Sequence, residues 1–293
     1  MRRFGVVHGV VLLLLGFACR GALAATPTLS QSLAALEQQY QGRLGLAYID
    51  SGSGEIFSYR GEEPFAFCST FKALLAGAVL QQSVSQPGLL DKQVNYGATD
   101  LLSYAPITKA HLGKGMSVGE LAAAAVQYSD NTAANLLLEE IGGVQALNRF
   151  TRELGDKAFR LDRIEPHLNS AIPGDERDTT TPLAMARTLQ AMTLGKGLPA
   201  AQQAQLVSWL KGNTTGAQRI RAGVPPHWSV GDKTGSGEYG TTNDIAVLWP
   251  EQGAPKVLAI YFTQPDAKAQ AQRAILAEAT RLVLADEPHS QGK

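Results

Sequence analysis

Residues 228–263 read WSVGDKTGSGEYGTTNDIAVLWPEQGAPKVLAIYFT, and three runs within them carry strand signals: Trp228 to Gly235, Thr242 to Trp249 and Lys256 to Thr263. Working outward, the stretch after them has helical character from about Ala267 to Ala285. Near the other end of the chain, Leu44-Leu46-Tyr48 and Ile56-Ser58 alternate as strands do, with Asp50-Ser51-Gly52-Ser53-Gly54 as the turn between them. A lone two-stranded hairpin is marginal in water, so the early pair joins the late three in one antiparallel sheet of five strands. Both chain ends then build one sheet.

The middle of the chain reads as helices. Phe71 to Val84 is one, Ser117 to Gln127 is opened by the capping pair Ser117/Glu120, and Asn131 to Ile141 is closed by Gly142-Gly143. Thr181-Pro182 starts another, with proline at the first helical position and Gly195 after its end. An earlier helix, Ser30 to Tyr40, sets Leu33, Leu36 and Tyr40 on one face. The expected fold is α/β: a sheet part of about residues 25–60 and 212–293, a helical part of about 61–211, and a groove between them, where sites commonly lie. Residues 160–178 fit neither period, and long irregular loops in compact domains are often functional.

Residues 1–24 stand apart from this fold. Arg2 and Arg3, the apolar run Val6 to Phe17 and then Ala22-Leu23-Ala24 follow the order of a secretory signal peptide. The run holds His8 and falls short of the roughly 20 apolar residues of a membrane helix. A mature chain from Ala25, the domain of residues 25–293, is therefore expected to be periplasmic or secreted, with no membrane span. Cys19 lacks the preceding pattern of a lipoprotein site, so free export is preferred to anchoring there. Arg2-Arg3 leaves the choice between the general and twin-arginine routes open.

Composition narrows the function further. The 293 residues hold 26 basic and 26 acidic side chains, and 44% are hydrophobic. No basic surplus is available for a phosphate backbone, so no nucleic-acid partner is expected. Loss of Arg2, Arg3 and Arg20 with the leader leaves a slight acidic excess. Cys68 is then the one cysteine, which excludes an internal disulfide and structural zinc. Neither a metal nor a cofactor is expected.

Several motifs fail in context. Gly115-Met116-Ser117-Val118-Gly119 spells a nucleophile elbow, but no strand precedes it and Ser117 reads as a helix cap. Gly235-Ser236-Gly237-Glu238-Tyr239-Gly240 spells a dinucleotide fingerprint, but a strand follows where a helix is required. The five histidines form no metal-binding pair. Of two S-x-x-K matches, Ser208/Lys211 sits late in a helix, whereas Ser69/Lys72 sits at a helix start, where unpaired N–H groups favour a developing oxyanion. Lys72 falls one turn later on the same face, and a buried amine beside a hydroxyl can take its proton.

Three more segments change the weight of Ser69/Lys72: Ser129-Asp130-Asn131 at a helix junction, Glu165-Pro166-His167-Leu168-Asn169 in the irregular loop, and Lys233-Thr234-Gly235 in a late strand. Each alone has a bland reading, as a helix cap, a surface acid or an edge-strand charge. All four in this order resemble a class A serine β-lactamase, over essentially the whole mature chain. Phe67-Cys68-Ser69-Thr70-Phe71-Lys72, Ala171-Ile172-Pro173-Gly174-Asp175 and Thr241-Thr242-Asn243-Asp244 resemble its PenA-type and CTX-M-type branches.

The resemblance implies hydrolysis of penicillins and cephalosporins through an acyl-enzyme on Ser69, and hence antibiotic resistance, by a protein expected to be a monomer. It implies an oxyanion hole at the backbone N–H groups of Ser69 and Ser236, and Lys72 or Glu165 as the base for acylation. Ser129, assisted by Lys233, would protonate the departing nitrogen. Asn131 would hold the substrate's amide side chain, Thr234 and Ser236 its carboxylate, and Tyr104 would form an aromatic wall. Glu165 and Asn169 would aim the deacylating water, in a loop closed by an Arg163–Asp178 ion pair. Arg219 resembles the branch that supplies a cation for the substrate carboxylate, a role Arg273 shares, and Ser236 beside Gly237 resembles extended-spectrum cephalosporinases. Family carbapenemases tie the cysteine before the nucleophile to one after K-T-G. Gly237 stands there instead, so Cys68 is expected to be a free thiol and strong carbapenem hydrolysis is not expected. Two other functions share parts of the pattern: a penicillin-binding D,D-peptidase, against which Glu165 with Asn169 speaks, and a β-lactam sensor, which would carry a membrane span.

Overall fold

The computed structural model describes residue 1, residue 5 and residues 27–286. The expected signal peptide, with Cys19, lies outside the described residues except for Met1 and Gly5.

Helix α1 (Leu29–Gln39) opens on a capping box, Thr28 with Gln31, and buries Leu29, Leu33 and Leu36. Strands β1 (Arg43–Asp50) and β2 (Ile56–Tyr59) form the early hairpin, with Leu46 opposite Tyr59. The late strands are β3 (Ser229–Ser236), β4 (Thr242–Trp249) and β5 (Lys256–Thr263). The sheet runs β2-β1-β5-β4-β3, every pair antiparallel, so the expected five-stranded sheet of both chain ends is the one observed.

Both faces of this sheet are covered, which follows from alternation along β5. Val257, Ala259 and Tyr261 pack against the helical middle, and Leu258, Ile260 and Phe262 pack against α1 and the C-terminal helix α9 (Arg273–Asp286). The middle contributes α2 (Phe71–Ser85), α3 (Val118–Gln127), α4 (Asn131–Ile141), α5 (Val144–Glu153), α6 (Pro182–Thr193) and α7 (Ala200–Lys211); a short turn, α8 (Ile220–Gly223), precedes β3. Helix α2 is buried without interruption from Phe71 to Leu80, as a helix that is apolar all round must be. Lys72 therefore enters the protein interior.

Where the structure departs from the sequence reading, local chemistry explains it. The cap of α4 is Asp130, whose Oδ1 accepts the Ala133 N–H at 2.9 Å, so Asn131 is released from capping and its side chain is free for the groove. The C-terminal helix begins at Arg273 and not near Ala267, because Asp266 holds a turn, its Oδ1 taking the Lys268 N–H at 2.9 Å. Helix α5 is an addition: Leu147, Phe150 and Thr151 give it a narrow buried stripe among polar residues. Gly142 ends α4 at φ 96, a conformation costly for any residue with a Cβ.

Candidate active site

Four pieces of chain meet where β3 faces the helical layer. Cys68–Thr70 form a 3-10 turn that leads into α2, with Cys68 itself at φ 48. Ser129 sits at φ 59 in the tight junction between α3 and α4. Asp130 braces that junction: its Oδ2 accepts the backbone N–H groups of Ile107 and Thr108, both at 2.9 Å, which fixes the loop carrying Tyr104. The third piece is the irregular loop with Glu165, and the fourth is Lys233 to Ser236 on β3.

Ser69, Tyr104, Ser129, Asn131, Asn169, Arg219, Thr234 and Ser236 line one cavity of about 630 Å³. Lys72, Glu165 and Lys233 lie beneath it, buried. These eleven residues, all singled out in the sequence, thus come together at one place. Ser69 Oγ donates to Glu165 Oε1 at 3.0 Å, and Lys72 Nζ reaches the same oxygen at 2.9 Å. Lys72 also donates to the Ser129 carbonyl at 2.8 Å, to Asn131 Oδ1 at 2.6 Å and to Ser129 Oγ at 3.5 Å, so four acceptors surround its Nζ. Lys233 Nζ donates to Ser129 Oγ at 3.0 Å and to the Thr234 carbonyl at 2.8 Å. Asn169 Nδ2 donates to Glu165 Oε2 at 2.5 Å, which leaves Asn169 Oδ1 as a buried acceptor without a partner. A hydroxyl and an amine on one carboxylate oxygen, with a second hydroxyl between two amines, form a proton-transfer network around a nucleophile.

The model of a beta-lactamase enzyme family matches residues 28–286. The chain is 56% identical over 260 residues to beta-lactamase CTX-M-97 of Escherichia coli, covering 89% of each chain. It is 53% identical over 283 residues to beta-lactamase OXY-2 of Klebsiella oxytoca, covering 96% of this chain and 97% of that one. Among solved structures, a beta-lactamase from Desulfarculus baarsii superposes with a TM-score of 0.87 at 53% identity, over 88% of this chain and 96% of that one. A variant of the class A beta-lactamase of the last common ancestor of Gram-negative bacteria gives 0.86 at 54%, over 89% and 98%. The chain belongs to the class A β-lactamases.

The electrostatics of this β-lactamase follow from its burial. The Lys72 amine is held below the ordinary lysine value by desolvation, against the pull of Glu165 and Asp130. Lys233 is held well below it, first by burial and then by the charges of Lys72 and Arg219. Arg219 is buried, donating to the carbonyls of Gly235 at 2.7 Å and Asn243 at 2.5 Å and to Ser236 Oγ at 2.7 Å. Arg273 reaches the same cavity from α9 and pairs with Gln218 Oε1 at 3.0 Å. Cys68 is a buried free thiol, raised by desolvation and then by the Glu165 charge; a Cβ added at Gly237 would stand 2.7 Å from its Sγ.

The loop of residues 160–178 is closed by Asp178. Its carboxylate accepts the N–H groups of Asp162 at 2.8 Å and Arg163 at 2.9 Å and pairs with Arg163 Nε at 2.5 Å. Sequence reasoning missed the residues that act on the site from behind. Asn135 on α4 holds the Glu165 peptide, and Asn213 and Thr215 connect to Thr234. Asn135 lies one turn past Asn131, the single signal that pointed to it.

Proposed function

We propose that this β-lactamase opens the lactam ring of penicillins and cephalosporins through an ester on Ser69 and releases the product with water activated by Glu165. The contact that carries the reading is Ser69 Oγ to Glu165 Oε1 at 3.0 Å, with Lys72 Nζ on the same oxygen. A proton leaving Ser69 enters the Glu165–Lys72 pair as Oγ bonds to the lactam carbonyl. The backbone N–H groups of Ser69 and Ser236 take the developing negative charge. The lactam C–N bond then breaks and the nitrogen takes its proton from Ser129 Oγ. That oxygen regains one from the Glu165–Lys72 pair through Lys72 Nζ, 3.5 Å away, with Lys233 Nζ at 3.0 Å on the same oxygen, so that Glu165 is again a carboxylate.

Deacylation needs a base and an aimed water. Glu165 supplies the first and the unpartnered Asn169 Oδ1 the second, since Asn169 Nδ2 is already committed to the carboxylate. Thr234, Ser236 and Arg219 receive the substrate carboxylate, Asn131 its amide side chain, and Tyr104 borders the entrance. Burial of Lys72 and Lys233 supports this: each is costly to keep charged inside, and a site that transfers protons is where such groups are retained.

The same reading includes cleavage of residues 1–24, export to the periplasm or medium, and a monomer. Among the described residues no helix is long and apolar enough to cross a membrane. The test is to mix the exported protein with a penicillin and a chromogenic cephalosporin. Many turnovers per active site support the assignment; a halt after one equivalent would mark a penicillin-binding peptidase. Intact mass and light scattering of the same sample check cleavage after Ala24 and the monomer.

A further inference from the structure

Beneath the substrate face of β3 lie two buried carboxyl groups that the chemistry above does not use. Asp232 and Asp244 are both fully buried. Thr234 stands opposite Asp244 in the β3–β4 register, so Asp232, Thr234 and Asp244 share one face of the sheet while Lys233 points to the other. Asp232 and Asp244 are diagonal neighbours in that register, on the same buried face. Two neighbouring carboxylates buried together are not both kept charged, so one of them holds a proton.

The donors around them settle which. Asp232 Oδ1 accepts from Arg221 Nε at 2.5 Å and Oδ2 accepts from Asn213 Nδ2 at 2.6 Å, so Asp232 is the carboxylate. Asp244 takes one N–H, from Ile220 at 3.1 Å on Oδ2, and its buried Oδ1 has no donor. A proton on Asp244 directed at Asp232 satisfies both groups. Burial, followed by the Asp232 charge, holds the Asp244 carboxyl well above the ordinary carboxylate range, in agreement.

From Asp232 the hydrogen bonds continue in one direction. Because Asn213 Nδ2 is turned to Asp232, its Oδ1 is turned to Thr215, whose Oγ1 donates to it at 2.8 Å and whose N–H does so at 3.1 Å. A threonine hydroxyl has one hydrogen. With that hydrogen given to Asn213, Thr215 Oγ1 can only accept from Thr234 Oγ1, 2.5 Å away. The resting Thr234 hydroxyl therefore points away from the cavity that Thr215 and Thr234 line. The Thr215 N–H is what permits reversal: it keeps Asn213 Oδ1 paired when the Thr215 hydroxyl turns to donate to Thr234, freeing the Thr234 hydrogen for a ligand.

We propose that Asp244, Asp232, Asn213 and Thr215 form a hydrogen-bond relay that sets the direction of the Thr234 hydroxyl, and that a substrate carboxylate reverses its last link. They are positioning residues for carboxylate recognition, and the proposal rests on the reading that Thr234 receives that carboxylate.

The test is steady-state kinetics on a penicillin and on its methyl ester, which lacks the charge. Wild type is expected to prefer the acid by about tenfold or more in kcat/KM; no preference would defeat the carboxylate reading and the relay with it. With that preference present, Asp232→Asn turns a donor toward Asn213 and reverses the amide, so that Thr215 donates to Thr234 and the Thr234 hydrogen already faces the cavity; KM for the acid is expected to fall about fivefold with kcat within about threefold. In a Thr215→Val background, which cuts the relay, the same substitution is expected to change KM less than about twofold. A rise, an equal fall in both backgrounds, or no change in either, would overturn the relay. If Asp232→Asn does not fold, Asn213→Ala is carried through the same cycle with the same expectation. Asp244→Asn, which keeps an N–H toward Asp232, is expected to keep the wild-type KM for the acid; a KM changed as in Asp232→Asn would overturn the assignment of the charge to Asp232.

Discussion

Asn135 holds Glu165 by both sides of its backbone: its Oδ1 accepts the Glu165 N–H at 3.0 Å and its Nδ2 donates to the Glu165 carbonyl at 2.9 Å. A helix side chain thus fixes a loop residue in place without touching the carboxylate. Asn135→Leu would leave a backbone donor and an acceptor unpaired in a half-buried position, at a cost of about 2–4 kcal/mol. Denaturant unfolding is expected to show that loss, and burst kinetics a larger fall in deacylation than in acylation. Equal falls in the two steps would mean that Asn135 does not place Glu165.

Asp178 closes the same loop from its base. It is fully buried, and its removal in Asp178→Ala strips partners from two backbone N–H groups and from Arg163. Arg163 keeps some contact with solvent, so the expected cost is about 3 kcal/mol, the lower end for a broken buried pair. Urea denaturation measures it, and a loss under about 1 kcal/mol would place the pair among surface contacts.

How far the sequence carried this account can be judged at individual residues. Ser69, Lys72, Ser129 and Lys233 were legible because their chemistry is fixed by short local spacings, and the sheet because apolar alternation marks each strand. Asn135, Asn213, Thr215 and Asp244 were not. Each is an ordinary polar residue whose role depends on a partner distant in sequence, such as Thr215 on Thr234 or Asn135 on Glu165. Positive φ at Cys68 and Ser129 was hidden for the same reason, since tertiary contacts impose it on residues without that preference. Asp130 was in view only as the middle of a motif, and its capping bond explains why that position is acidic.

Gly237 is held where no side chain fits. A Cβ there would lie 2.6 Å from the Asn169 carbonyl oxygen and 2.7 Å from Cys68 Sγ. Gly237→Ala must push the Asn169 backbone away, and with it the acceptor that aims water. The expected result is a roughly tenfold lower kcat for a penicillin, with the acyl-enzyme accumulating. A variant with wild-type kcat and no accumulated adduct would show that this contact does not govern Asn169.

Stability should carry the mark of Asp244 in its pH dependence. Its carboxyl is held well above the ordinary 3.8 by burial and then by Asp232, so between that value and its raised one the folded chain binds a proton that the unfolded chain has lost. Its contribution to stability therefore falls as pH rises through this window. Asp244→Asn titrates in neither state. Relative to wild type, the Tm of Asp244→Asn is expected to climb from about pH 4 toward neutrality. A difference that stays constant over that range would rule out the raised acid.

The central claim is that Glu165 releases the product from Ser69, and intact-mass spectrometry of Glu165→Ala after exposure to a penicillin tests it most directly. The expected spectrum shows wild type unmodified after many turnovers, and the variant carrying one opened penicillin on Ser69, with deacylation slowed by about a thousandfold. A variant that clears its adduct as fast as wild type would contradict the account.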